Sequence, residues 1–285
     1  MTQPSSIDVL ARPAPARAGR DLPIAIAVGL GLLGLVAVSL SFRKEGFILL
    51  ALVACGAGLW ELAQALTRRG IHIPLLPLLV GTAGILVSSY TGGPEALLVA
   101  FMLTAGGVVV WRVLDGGGAE ALRDAAAATF AAAYIPFMAG FVMLMLDQPG
   151  GDRRVALFVL LAVASDTGGY TAGVLLGRNL LAPSVSPKKT WEGLAGSLLL
   201  ASAVGAVGMV VAFDANPLIG IALGLASVLT ATLGDLAESL IKRDLELKDM
   251  GSLLPGHGGV LDRIDSLLLT APLVYLVLLV TVPGA

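Results

Sequence analysis

The sequence predicts an all-α protein, a polytopic membrane helix bundle of nine transmembrane helices with its N-terminus in the cytoplasm. Its 285 residues are 56% hydrophobic and only 13% charged, with a mean hydropathy of +0.90, far more apolar than a soluble domain. The apolar residues gather in runs of about 17 to 25, the length that carries a helix across a bilayer. Lysine and arginine fall unevenly between alternate connections. The net charge of −2 gives no reason to expect a nucleic-acid partner. Cys55 is the only cysteine, so an intrachain disulfide or a cysteine metal site is excluded.

Residues 1–21, rich in Pro, Ala, Ser and Arg, read as a disordered tail. The apolar run 22–41 lacks a clear cleavage site and reads as an uncleaved anchor. Further spans are expected at 47–65, 74–90, 96–113, 124–146, 155–176, 193–213, 217–240 and 266–282. Backbone groups in lipid must be satisfied within each segment, so these are helices and not open strands. Pro136 should kink the fifth. Residues 22–285 thus form one transmembrane domain, with the chemistry expected at about 160–270. Gly29, Gly31, Gly34, Gly196, Gly205, Gly220 and Gly224 suit close helix packing and leave faces available for a homodimer.

Nine spans put the termini on opposite sides. With the N-terminus inside, the inner segments carry Arg12, Arg17, Arg20, Arg68, Arg69, Arg112, Arg123, Arg178, Lys188, Lys189, Lys242, Arg243, Lys248 and Arg263. The outer ones carry Arg43, Lys44, Arg153 and Arg154. This bias places the charged loops 177–192 and 241–265 in the cytoplasm of an integral protein of the cell membrane.

Charge is concentrated between Ser239 and Asp265. Asp235, Glu238, Ser239 and Lys242 fall at i, i+3, i+4 and i+7, on one face of the eighth helix. An acid in a membrane span needs a polar cavity, a partner or a metal, and a structural ion pair of Asp235 with Lys242 is the bland alternative. Asp262 and Asp265 share a face at the start of the ninth helix, with Arg263 turned aside. Converging carboxylates call for a cation, and oxygen-only ligands favour Mg²⁺, although aspartate also caps helix N-termini. Between these acids, Gly256, His257, Gly258 and Gly259 let backbone N–H groups approach an anion at a helix N-terminus. With Lys242, Arg243, Lys248 and Asp249 they read as a site for phosphates plus metal.

A second constellation runs from Ser165 to Tyr170 and from Ser186 to Gly193. Asp166 falls midway along the sixth span, the costliest depth for a charge, and should face the bundle interior. Ser186 is expected to cap a short helix with Pro187 at its first position. Lys188 and Lys189 suit phosphate or an anionic headgroup, in competition with plain orientation charge.

These residues resemble the phosphatidate cytidylyltransferase, or CDP-diacylglycerol synthase, family. The long signature of that family is met at Ser239, Lys242, Arg243, Lys248, Asp249, His257, Gly258, Gly259, Asp262, Arg263 and Asp265. A second block is met at Asp166, Thr167, Gly168, Tyr170, Ser186, Pro187, Lys189, Thr190 and Trp191, with departures at Gly169 and Val174. The resemblance implies transfer of a cytidylyl group from CTP to phosphatidate with Mg²⁺, giving CDP-diacylglycerol and pyrophosphate. On that footing Asp235, Asp262 and Asp265 are the expected metal ligands, with Asp166 for a second cation or for ordering the basic residues. Lys242, Arg243, Lys248 and Arg263 would face the α-phosphate and pyrophosphate, and Lys188 and Lys189 the lipid phosphate. Thr190, Ser186, Ser239, Asp249, His257, Gly258 and Gly259 complete the expected substrate contacts. The competing readings are a CTP-dependent lipid-alcohol kinase and, from another class, a transporter with intramembrane acids.

Overall fold

The computed structural model describes residues 22–116, 118, 120–183, 186–253 and 258–282. The expected disordered tail, residues 1–21, and His257 lie outside them. The helices in order are α1 (Leu22–Phe42), α2 (Lys44–Thr67), α3 (Leu75–Leu114), α4 (Ala121–Ala132), α5 (Met138–Asp147), α6 (Gly151–Leu176), α7 (Trp191–Phe213), α8 (Pro217–Asp244) and α9 (Leu261–Thr281). Counted by length and composition, seven described segments can cross a membrane, α4 and α5 forming one of them as Ala121–Asp147.

Two local features account for the difference from nine. The described apolar part of α1, Ala27–Ser41, is short for a span. The two runs expected at 74–90 and 96–113 form the single element α3, which reverses on one residue. Gly93 has φ 75° and ψ −163°, a conformation open essentially to glycine alone, and Pro94 starts the second arm with its φ already set. On a straight helix Gly81 and Thr104 would stand roughly 35 Å apart. Here the Thr104 side chain leaves no room for a Cβ on Gly81, so the arms 75–92 and 94–114 lie side by side.

Pro136 produces a π turn, Ala133–Phe137, between α4 and α5. This is how a helix absorbs the carbonyl clash of an interior proline while remaining hydrogen-bonded. Four buried hydroxyls are satisfied locally: Thr82, Ser89, Thr104 and Thr270 each donate to the carbonyl four residues back, at 2.5 to 2.7 Å.

One correction concerns Ser186. It opens no helix, because Ser186–Thr190 is a strand, β2, paired antiparallel with β1 (Leu180–Ala182). The cap is Thr190, whose hydroxyl accepts from Gly193 N at 3.0 Å and starts α7. Glu192 fixes the hairpin to that helix by accepting from Arg178 N (3.1 Å), Asn179 N (3.2 Å) and Asn179 Nδ2 (2.7 Å).

Helices α6, α7 and α8 approach backbone to backbone. Gly168 meets the carbonyl of Gly196, Gly205 that of Gly220, and Gly224 that of Ala201, none with space for a Cβ. These glycines are therefore spent inside the protomer, whereas Gly29, Gly31 and Gly34 of α1 face open space. At the end remote from the charged loops, buried Arg154 donates to the carbonyls of Pro149 (2.9 Å), Leu278 (3.0 Å) and Val282 and lies 5.9 Å over the Phe213 ring.

Candidate active site

At the opposite end, α6, β2, α7, α8 and α9 enclose two adjoining cavities. The more polar, about 420 Å³, is lined by Asp166, Lys189, Asp235, Glu238, Ser239, Lys242, Asp249, Asp262, Arg263, Asp265 and Ser266. The other, about 320 Å³, lies between α6, the β-hairpin, α7 and α8, where Ser165, Gly169, Tyr170, Gly173, Leu181, Ser186, Thr190, Leu194, Ser197 and Ala231 form part of its wall. Asp166, Lys189 and Asp235 line both. The glycines explain the convergence: side chains from three helices meet only because the backbones behind them are nearly in contact.

Asp235 does not pair with Lys242. Its Oδ2 accepts from Lys189 Nζ, which reaches across from β2. Lys242 instead bridges Glu238 Oε2 (2.6 Å) and Asp262 Oδ1 (2.8 Å). Asp262 faces the cavity and also ties down the preceding loop, since its Oδ2 accepts from the N–H groups of Met250 (3.0 Å) and Gly259 (2.8 Å) while its Oδ1 is left to Lys242. Asp265 Oδ1 accepts from Ser266 N at 2.7 Å. Arg263, expected to turn aside, lines the same cavity as the acids.

The expected phosphate cradle before α9 is arranged differently. Of its donors, Gly259 N goes to Asp262, and the N–H groups of Val260 and Leu261 go to Glu61. Gly258, with φ 78°, packs against Asp262 and Asp249. Lys248 and Arg243 are exposed and are not among the residues that line the two cavities. The backbone of Lys188 lies in β2 beside Lys189.

Six carboxylates, Asp166, Asp235, Glu238, Asp249, Asp262 and Asp265, therefore border one cavity against Lys189, Lys242 and Arg263. Among the described residues no three acids close on a single point as a finished metal cage. The donor set nonetheless suits a hard divalent cation: it is carboxylate oxygen throughout, and buried Glu238 Oε1 has no hydrogen-bond partner among the described residues.

Residues 23–281 match the cytidylyltransferase family. The chain belongs to that family. It is 38% identical over 277 residues to the phosphatidate cytidylyltransferase of Mycobacterium leprae, covering 92% of this chain and 89% of that one. The phosphatidate cytidylyltransferase of Staphylococcus aureus is 29% identical over 248 residues, 85% of this chain and 94% of the relative. That of Haemophilus influenzae is 43% identical over 150 residues, 48% of this chain and 51% of the relative.

Within this cytidylyltransferase fold, two acids escaped the sequence-based choice of site residues. Glu238 stood in plain view, on the face of Asp235 and four residues before Lys242, the spacing of a helical ion pair. Glu61, an acid within the expected span 47–65, carried the signal of any intramembrane charge, but its partners lie 199 and 200 positions further along the chain and could not be read from local spacing.

Proposed function

We propose that this chain is a phosphatidate cytidylyltransferase that transfers CMP from CTP to phosphatidate, giving CDP-diacylglycerol and pyrophosphate. The observation that carries this reading is the pair of cavities joined at Asp166, Lys189 and Asp235. One is lined almost wholly by charged and hydroxyl side chains and fits a triphosphate. The other adds Tyr170, Leu181, Leu194 and Ala231 and fits a lipid headgroup with the start of its chains. Lys189 stands where the two phosphates would meet.

The chemistry asks little proton transfer of the protein. A phosphate monoester has a second pKa of about 6, so phosphatidate is largely a dianion at neutral pH and already a nucleophile. Its oxygen forms the new bond to the α-phosphorus of CTP as the bond to pyrophosphate breaks. The obstacle is bringing two anions together, and fixed positive charge removes it. Lys189 would hold the lipid phosphate against the α-phosphate, with Lys188 beside it on β2. Lys242 and Arg263 would take charge developing on the leaving pyrophosphate, with Arg243 and Lys248 acting from the α8–α9 connection. Asp235, Asp262 and Asp265 would hold Mg²⁺, which supplies charge neutralisation on the triphosphate, and Asp166 would serve a second cation or orient Lys189. We also read the bundle as nine crossings, the two arms of α3 counting separately and α1 supplying the ninth, with the site facing the cytoplasm of the cell membrane by the lysine and arginine bias.

The test is to give the protein in lipid nanodiscs Mg²⁺, phosphatidate and CTP labelled at either the α- or the γ-phosphate. Label entering lipid from the α position alone, with pyrophosphate released, is the expected result. Lipid labelled from the γ position, seen with a lipid alcohol, would move the assignment to a kinase. No label from either would reopen the transporter reading.

A further inference from the structure

Helix α9 carries Asp262 and Asp265, yet nothing in its own sequence caps it. The residue at its N-cap is Val260, whose side chain offers no acceptor. The N–H groups of Val260 and Leu261 donate instead to Glu61 Oε1 and Oε2, at 3.0 and 2.9 Å. Glu61 belongs to α2 and is buried, at 1% exposure. A carboxylate at this depth needs compensation, and here two backbone donors and the positive pole of α9 provide it. The fit is close on both sides. A Cβ on Gly259 would come within 2.5 Å of Glu61 Oε2, and Gly251 has no room for one either. Glycine at 251 and 259 leaves the space that this carboxylate fills.

We propose that Glu61 is a positioning residue for cytidylyl transfer. It fixes the depth and rotation of the first turn of α9, and through that turn the places of Asp262 and Asp265. This rests on the function proposed above. Glu61 lines neither cavity, so its effect passes through α9 alone. That makes the effect one-sided. The polar cavity takes part of its wall from α9, whereas the residues of the lipid-side cavity come from α6, the β-hairpin, α7 and α8. Disturbing Glu61 should weaken the nucleotide and Mg²⁺ interactions and spare the lipid's.

The experiment compares the full chain in nanodiscs with Glu61→Gln and Glu61→Asp, varying CTP and phosphatidate separately. Gln keeps the size but sets an N–H₂ against an N–H, while Asp keeps the charge and falls a methylene short. In Glu61→Gln the KM for CTP should rise about ten-fold, the equivalent of one weakened charge-assisted bond, with the KM for phosphatidate unchanged. Glu61→Asp should shift in the same direction by less. Amide exchange at Val260 and Leu261 should quicken in both variants, a readout that holds whatever reaction the protein catalyses. If wild type transfers no cytidylyl group the functional reading fails, while the exchange data still test the contact. An unchanged KM for CTP would overturn the proposal. So would parallel loss of both substrate parameters in step with loss of folded protein in the two variants, which marks a general structural role.

Discussion

The two halves of this bundle are held together by different means. From α2 to α5 the interior is filled by large aliphatic and aromatic side chains, among them Leu59, Leu62, Leu78, Ile85, Leu97, Ile135 and Met143, with Phe101, Phe137, Phe141 and Tyr275 of α9 in a chain of ring contacts 4.8 to 5.8 Å apart. From α6 to α8 the closest approaches are glycine on carbonyl, and beside the residues these helices lend to the main core, such as Leu157, Leu161 and Met209, lies a separate small cluster of Ala164, Ala201 and Val228. In lipid, where apolar side chains gain little by leaving the solvent, close backbone packing is the stronger glue. It also lets short polar side chains from several helices reach one point. The half that must assemble a charged cavity is the half built from glycine.

Substitutions sort the halves by what they damage. The largest effect is expected at the cavity itself. Asp235→Asn removes one of the charges shared by both cavities and should lower turnover by at least about 100-fold while the protein stays folded in membranes. Full activity in that variant, measured with α-labelled CTP, would sink the metal assignment. Next comes the glycine packing: Gly220→Val places a branched side chain on the Gly205 carbonyl and should cost about 3 kcal/mol of stability, with activity lost alongside. A thermal melt in nanodiscs reads the first, and an undisturbed melting temperature would show that α7 and α8 have slack. Ile135→Ala, in the aliphatic half, leaves a cavity worth about 2 kcal/mol but should keep both KM values in the folded fraction. A changed KM for either substrate there would mean that the halves are coupled through more than Glu61. The smallest effect is expected for Arg69→Ala. It breaks an exposed pair with Glu246, 2.8 Å in length, and should alter stability by less than about 0.5 kcal/mol and activity not at all.

What the sequence made legible follows the same division. Asp166, Lys189, Asp235, Lys242, Asp249, Asp262, Arg263 and Asp265 are polar residues where a membrane protein is otherwise apolar, and they meet around one cavity. Local spacing along α8 and α9 was enough to bring Asp235, Lys242, Asp262 and Asp265 to the cavity side, but it turned Arg263 away from the cavity that it lines. Partner choice was not legible, because Asp235 has Lys242 seven residues away and yet takes Lys189, forty-six positions earlier. The strand at Ser186–Thr190 was misread as a capped helix because Ser-Pro is a common helix opening, and pairing with Leu180–Ala182 is a tertiary fact. The α3 reversal lies where the sequence separates two expected spans, 74–90 and 96–113. Gly92, Gly93 and Pro94 stand between them, and the packing of Gly81 on Thr104 shows the chain turned back at that point.

Helix α9 meets a buried charge at each end: the Glu61 carboxylate at its N-terminal pole and the Arg154 guanidinium on the carbonyls of Leu278 and Val282 at its C-terminal pole. Each sign suits the pole it touches. To slide along its own axis, α9 would have to strip one of these charges of its partners in a medium with no water to replace them. The level at which Asp262 and Asp265 stand is therefore set by the protein and not by the surrounding lipid. Bilayers that differ in thickness can bend, tilt or thin around this bundle, but its acids keep their register with Lys189 and Lys242.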